Sequence, residues 1–111
     1  MLATRRHQTE TGRHGVQAEA VALLRKLGCL VLRLPVRMTG GYRLMPKGTP
    51  DTIVFLGSGR FGWLEFKRAK GGKLSPEQEA FRDAALRRGE NWAEPTSAEE
   101  AAQVVMGWRT G

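Results

Sequence analysis

The chain has 111 residues, of which 41% are hydrophobic and 26% charged; this size and composition are typical of one globular domain and exclude a disordered or fibrous chain. No apolar run is long enough to cross a bilayer, and the first residues lack the apolar stretch of a signal peptide, which predicts a cytoplasmic location. A single cysteine excludes a disulfide framework and a cysteine-based metal site.

The net charge of +7 is distributed unevenly along the chain. Residues 1–48 carry nine basic and two acidic side chains, whereas residues 49–111 carry nine of each. A generally basic surface would give the same total. Because the excess lies entirely in the first half, we favour a polyanion, and nucleic acid in particular, as the partner.

The first predicted element is a helix that follows a polar, flexible and basic lead-in over residues 1–15. Apolar residues recur at helical spacing over 16–27, and Gly28 is a typical helix stop. Residues 29–34 are rich in Leu and Val and predict a strand. Residues 37–50 contain three glycines and two prolines and predict a long basic loop.

A β-hairpin is predicted next, from two apolar segments over 51–56 and 61–67. Both segments are apolar on both faces, which predicts central strands covered on each side. Two turns fit: a two-residue turn sends the carboxylates of Asp51 and Glu65 to opposite faces, and a three-residue loop sets them opposite each other on one face. We expect the three-residue loop, because glycines flank Ser58 on both sides.

The remaining elements have clear start and stop signals. Residues 75–78, Ser-Pro-Glu-Gln, form a capping box that predicts a helix ending at Gly89. Residues 91–94 predict a short edge strand. A second capping box over 97–100 predicts a helix to about Met106. The predicted order is therefore α-β-β-β-α-β-α, an α/β fold without internal repeats.

Three ionisable residues lie at the ends of the predicted hairpin arms. Glu65 and Lys67 share one face, because strand side chains alternate with period two. If Asp51 shares that face, the two carboxylates repel unless a cation lies between them, and hard oxygen ligands favour Mg²⁺ or Mn²⁺. Beside such a cation, the Lys67 ammonium could hold or deprotonate an attacking water, or offset developing charge on a phosphorane. A salt bridge at a strand end is the structural alternative.

These residues resemble a known family. Segments 47–51 (Lys-Gly-Thr-Pro-Asp), 59–67 and 72–78, followed by Phe81, are similar to the VRR-NUC (virus-type replication-repair nuclease) branch of the PD-(D/E)xK superfamily. The resemblance implies a restriction-endonuclease-like core over 16–111, with a mixed central sheet flanked by helices. It further implies Mg²⁺- or Mn²⁺-dependent DNA cleavage without an organic cofactor, branched, flapped or four-way DNA as candidate substrates, a homodimer, and a bacterial or phage origin.

The resemblance also assigns roles to individual residues. Asp51, Glu65 and the backbone carbonyl of Phe66 would bind the metal, and Lys67 would be the catalytic lysine. Gln78 matches a glutamine that recurs in the family, so it would contact the lysine, the water or the scissile phosphate; its other reading is the capping box alone.

The family usually supplies a further metal-binding glutamate from the first helix, a few residues before a glutamine. Gln17 matches that glutamine, but the position four residues earlier is Arg13. We expect Glu19 to take the role, because it borders the inward face of the helix, with Glu10 as the alternative if the helix begins earlier.

Basic side chains near the hairpin predict contacts to phosphates that do not read sequence. They are Arg33, Arg37, Arg43, Lys47, Arg68, Lys70 and Lys73. The competing interpretation is a DNA-binding or scaffold subunit that keeps the nuclease fold with little or no activity. An RNA-cleaving enzyme would use the same chemistry.

Overall fold

The computed structural model describes residues 15–35, 45–66 and 72–111. These residues form α1 (Val16–Lys26), β1 (Leu30–Arg33), β2 (Thr52–Gly57), β3 (Arg60–Leu64), α2 (Pro76–Arg87), β4 (Asn91–Ala93) and α3 (Ala98–Thr110). The predicted order and the α/β class are confirmed. The expected lead-in over 1–15 lies outside the described residues except for its last position, as does most of the basic loop. No helix in the described ranges is long and apolar enough to cross a membrane.

The ends of α1 and α2 follow the predicted signals. Gly28 and Gly89 lie just beyond the two helices with φ angles of +90° and +82°, a conformation that glycine adopts without steric penalty. The capping box of α2 is complete: the Ser75 hydroxyl accepts a hydrogen bond from the Gln78 backbone N–H at 3.1 Å, and the Gln78 Oε1 accepts one from the Ser75 N–H at 2.8 Å. The local sequence therefore fixes where α2 begins.

The prediction for α3 was wrong in two respects. The Ser97 hydroxyl accepts from the Glu100 N–H at 3.0 Å as expected, but the Glu100 carboxylate accepts instead from the N–H and hydroxyl of Thr96, at 2.8 and 3.0 Å. The helix also continues beyond Met106 to Thr110. Packing of Trp108 against the core explains the additional turn, because it gives the end of the helix a partly buried apolar side chain.

The four strands form one mixed sheet in the order β1-β2-β3-β4. Strands β1, β2 and β3 are antiparallel, and β4 pairs parallel to β3 at the edge, where it was predicted. Helices α1 and α3 pack against each other on one face. The core between sheet and helices contains Val31, Val54 and Leu64 from the strands with Leu24 and Val105 from the helices.

The opposite face of the sheet is only partly covered, which corrects the expectation of strands buried on both sides. Helix α2 packs on the β3–β4 half, where the Trp63 and Phe81 rings meet edge to face at 4.9 Å. On the β1–β2 half, Leu30, Leu32 and Phe55 are 61%, 43% and 38% exposed. A single helix is narrower than a four-stranded sheet. Helix α2 therefore covers only β3, which precedes it in the chain, and β4, which follows it.

The hairpin turn differs from the predicted three-residue loop, and that prediction was wrong. Ser58–Gly59 is a two-residue turn with φ angles of 56° and 76°, typical of a tight hairpin turn. The register then shifts between Phe55 and Gly57 in the manner of a β-bulge. Beyond this shift Thr52 lies opposite Leu64, which is the register that the three-residue loop would give. The predicted register is confirmed, but a bulge produces it.

Candidate active site

The acidic pair lies at the end of the β2–β3 hairpin away from the turn. Thr52 is opposite Leu64 in the last pair of the hairpin, and Asp51 and Glu65 are the next residue of each arm, which brings both carboxylates to the same end of the sheet. If the register continues by one residue, Asp51 and Glu65 are directly opposed, with Cβ atoms about 4.5–5.5 Å apart. Two carboxylates at this separation repel each other, and a cation between them removes that repulsion.

Burial makes Glu65 unusual. It is only 6% exposed, and of the Lys, Arg, Asp and Glu side chains in the described ranges it is the only buried one. Taking an ionised carboxylate out of water is costly unless cations or hydrogen-bond donors compensate it. This position therefore favours a nearby positive group.

Contacts with β4 and with helices α1 and α3 hold the end of β3 in place. The Glu65 N–H donates to the Ala93 carbonyl at 3.0 Å, which extends the pairing with β4 by one residue. The Phe66 side chain packs against the core beside Ala20 and Ala101 of α1 and α3. Because side chains alternate along a strand, Phe66 on the α1–α3 face directs Glu65 to the other face.

A series of hydrogen bonds connects α1 to Asp51. The Arg33 guanidinium donates to Gln17 Oε1 at 2.9 Å, the Gln17 amide nitrogen donates to the Thr52 hydroxyl at 2.9 Å, and that hydroxyl donates to Asp51 Oδ1 at 3.0 Å. The Leu34 N–H donates to the Asp51 carbonyl at 2.7 Å. Sequence reasoning gave Gln17 no contact and missed Thr52, for which the available signal was a polar residue at the start of an apolar strand.

The segment that leads to Asp51 packs on the first turn of α2. Gly48 has a φ angle of +95°, and a Cβ atom there would lie 2.6 Å from the carbonyl carbon of Glu77. The Lys47 ammonium is 3.6 Å from the Glu77 carboxylate. The pKa of Glu77 is lowered from its ordinary value, first by a hydrogen bond from its own backbone N–H and then by the charge of Lys47.

The N-terminal ends of all three described helices approach this end of the sheet. Gln17 in the first turn of α1 contacts Thr52, the first turn of α2 contacts Gly48, and Ala98 at the start of α3 lies in a cluster with Phe66. A helix N-terminus carries a partial positive charge and unpaired N–H groups. The arrangement favours anions at this end of the molecule.

The structure accounts for one of the two readings of Gln78 and places Glu19 apart from the acidic pair. Gln78 makes the capping box, and a contact to lysine, water or phosphate stays a prediction. Two residues of an α-helix turn through about 200°, so Glu19 lies on the far side of α1 from Gln17, whose side chain points to Thr52. Glu10 lies outside the described residues.

The donor set suits a hard cation with few protein ligands. No three His, Cys, Asp or Glu side chains of the described residues are grouped closely enough to hold a metal, so Glu19 is not gathered with Asp51 and Glu65. Mg²⁺ usually keeps several waters and is held by one or two carboxylates together with substrate phosphate. Two carboxylates and the carbonyl of Phe66 fit that pattern.

The remaining predicted site residues divide into two groups. Arg33, Lys47 and Lys73 are described and exposed, and Arg33 is the one that contacts the Gln17–Thr52 series. The others lie outside the described residues: Lys67, Arg37, Arg43, Arg68 and Lys70.

A four-stranded mixed sheet with helices on both faces is consistent with a restriction-endonuclease-like core, and the acidic pair lies at one end of it. A solved structure described as a VRR_NUC domain is similar to this chain with a TM-score of 0.64 and 26% sequence identity, over 84% of this chain and 92% of that chain. The resemblance to the VRR-NUC nucleases that the sequence indicates is thereby confirmed. No family model and no curated protein matches the chain. The structural match supports a nuclease family in general.

Proposed function

We propose that this protein is a metal-dependent endonuclease that hydrolyses DNA phosphodiester bonds. The observation that carries the proposal is that Asp51 and the buried Glu65 adjoin Thr52–Leu64, the last pair of the β2–β3 hairpin, in a fold similar to a VRR_NUC domain. Two carboxylates at one end of the hairpin are oxygen ligands of the kind that a hard cation prefers, which supports a cation-binding role.

In this proposal Asp51, Glu65 and the carbonyl of Phe66 hold Mg²⁺ or Mn²⁺. When bound, the cation supplies a Lewis acid for the phosphate and lowers the pKa of its bound water. Lys67, two residues after Glu65, holds or deprotonates the attacking water or offsets charge on the phosphorane. Gln78 lies in the first turn of α2 next to Glu77, which Gly48 approaches, and its amide is oriented by the capping box. Glu19 is the least supported of the proposed ligands, because it is turned away from Thr52.

The proposed partner is DNA, bound through its phosphates. In this proposal the three helix N-termini and the exposed Arg33, Lys47 and Lys73 meet the DNA phosphates. Contacts of this kind do not read base sequence, and in this proposal the enzyme selects branched, flapped or four-way DNA by structure. A homodimer would supply two active sites, as cleavage of both strands requires.

Substitution of the acidic pair tests the proposal. Asp51→Asn and Glu65→Gln keep side-chain shape and remove the negative charge that binds the cation, so we expect cleavage to fall at least about 100-fold while DNA binding is retained. Cleavage is measured on linear, nicked, flapped and four-way DNA with and without Mn²⁺, and binding by fluorescence anisotropy. Asp83→Asn, on the exposed surface of the middle of α2, is the matched control.

Undiminished cleavage by both site variants would refute the proposal. DNA binding by the wild-type protein without metal-dependent cleavage of any of the four substrates would favour the scaffold interpretation instead. Cleavage of RNA in place of DNA would keep the chemistry and change the substrate.

A further inference from the structure

We propose that Thr52 and Gln17 are positioning residues that orient the Asp51 carboxylate as a metal ligand. The inference rests on the proposed function and adds to it two residues that touch neither metal nor DNA. It is carried by the three consecutive hydrogen bonds from Arg33 to Gln17, to Thr52 and to Asp51, of 2.9, 2.9 and 3.0 Å.

Every hydrogen bond in this series is donated in the direction from Arg33 towards Asp51. An arginine can only donate, so the Gln17 amide oxygen faces Arg33 and its nitrogen faces Thr52. The Thr52 hydroxyl accepts from Gln17, and its single proton goes to Asp51. The series therefore ends on an acceptor, and an ionised carboxylate is the strongest acceptor for that proton.

Burial makes the last bond directional. Thr52 is fully buried at the first position of β2, and β-branched side chains have few χ1 rotamers. Arg33 is the direct cross-strand partner of Thr52, so the strand pairing sets the geometry of the series. A hydroxyl held this rigidly restricts the Asp51 carboxylate, which reduces the freedom lost when a metal binds.

The test compares two buried threonines. Thr52→Val removes the hydroxyl that contacts Asp51, and we expect Mn²⁺ binding measured by calorimetry to weaken about 10–100-fold. Thr52→Ser keeps a hydroxyl and retains most of the affinity. The control is Thr49→Val, which removes a hydroxyl that donates to the Pro46 carbonyl at 2.7 Å at a site that is also buried, 8% exposed, and leaves Mn²⁺ affinity unchanged.

A second readout needs no metal. Buried hydroxyl protons exchange slowly, and we expect the Thr52 hydroxyl resonance in the metal-free protein to shift in Asp51→Asn and to stay in place in Asp83→Asn. An unshifted resonance in Asp51→Asn, or wild-type Mn²⁺ affinity in Thr52→Val, would overturn the positioning role and leave the proposed nuclease standing. Wild-type protein that binds no Mn²⁺ would overturn the nuclease and this role with it.

Discussion

Gly48 shows how one residue determines the distance between the candidate site and α2. Its φ angle of +95° disfavours any side chain, and a Cβ would lie 2.6 Å from the Glu77 carbonyl carbon, well inside van der Waals contact. The close atoms belong to the backbone of α2, which cannot rotate away as the end of a flexible side chain can. Close approach of the two segments therefore requires glycine at this position.

We expect Gly48→Ala to lower the free energy of unfolding by about 2–4 kcal/mol, from backbone strain together with the steric clash. Gly89→Ala is the control, because Gly89 also has a positive φ of +82° but has nothing within 4 Å of its Cβ position. Urea denaturation of both variants separates the two contributions. Equal losses would show that strain alone matters and that the contact with Glu77 does not.

Single residues differ in how well their roles could be predicted. The Ser75–Gln78 capping box is local, since both partners lie within four residues, and it was predicted correctly. The bond from Gln17 to Thr52 joins residues 35 positions apart, and only the fold brings them together. The role of Glu19 stays a prediction for the same reason: a position near the inward face of α1 does not specify which neighbour that part of the face meets.

At the scale of secondary-structure elements, Glu90 joins α2 to the sheet. Its carboxylate accepts from the Arg88 guanidinium at 2.7 and 2.8 Å and from the Trp63 indole N–H at 2.9 Å. The hydrogen bonds from Arg88, and then that from Trp63, lower the pKa of Glu90 from its ordinary value. These contacts lie between the end of α2 and the middle of β3, so they support the half of the sheet that α2 covers.

The lowered pKa of Glu90 makes this contribution depend on pH. A carboxyl whose folded-state pKa is depressed stabilises the protein fully above its unfolded pKa, about 4.3, and loses that contribution as pH falls through the folded value. Glu90→Gln should lower the free energy of unfolding by about 0.5–1 kcal/mol at pH 7, and this difference should shrink below pH about 4. Urea denaturation between pH 3 and 7 measures it, and a constant difference would contradict the assignment.

The control is Asp83→Asn. Asp83 pairs with Arg82 at 3.0 Å on the exposed surface of α2, and within the described residues it makes no hydrogen bond to a tryptophan. We expect it to change stability less than Glu90→Gln at pH 7.

Element boundaries and order were predictable because glycines, prolines and capping residues mark them along the chain. The hairpin shows the limit of this reasoning. Glycines at 57 and 59 permit either turn, and the bulge between Phe55 and Gly57 arises because a tight two-residue turn must be reconciled with the buried pairing of Thr52 and Leu64. The core, rather than the turn sequence, therefore sets the register of the hairpin.

At the scale of the whole molecule, the helices place opposite partial charges at the two ends of the sheet. At the end away from Asp51, the Arg60 guanidinium donates to the carbonyls of Trp108 and Arg109, at 2.8 and 3.1 Å. Arg109 in turn donates to the Leu27 carbonyl at 3.1 Å, beyond the end of α1. These arginines compensate the negative helix C-termini. Arg60 and Arg109 both lie in the second half of the chain. The excess of basic residues in the first half therefore does not predict this separation of charge between the two ends of the sheet.

This separation of charge predicts which basic residues determine the salt dependence of DNA binding. Each phosphate contact releases a counterion, so the logarithm of the binding constant falls with the logarithm of salt concentration by about 0.9 per contact. We expect Lys47→Gln and Lys73→Gln each to reduce this slope by about 1, because both lie close in sequence to the segments around Asp51 and α2. Lys26→Gln, in the last turn of α1 and about 13 Å along the helix from Gln17, should leave it unchanged. Anisotropy titrations between 50 and 200 mM KCl, a range over which the slope is well defined, measure these slopes. A flat wild-type response, or an equal change in all three variants, would exclude the end of the sheet around Asp51 as the DNA-binding surface.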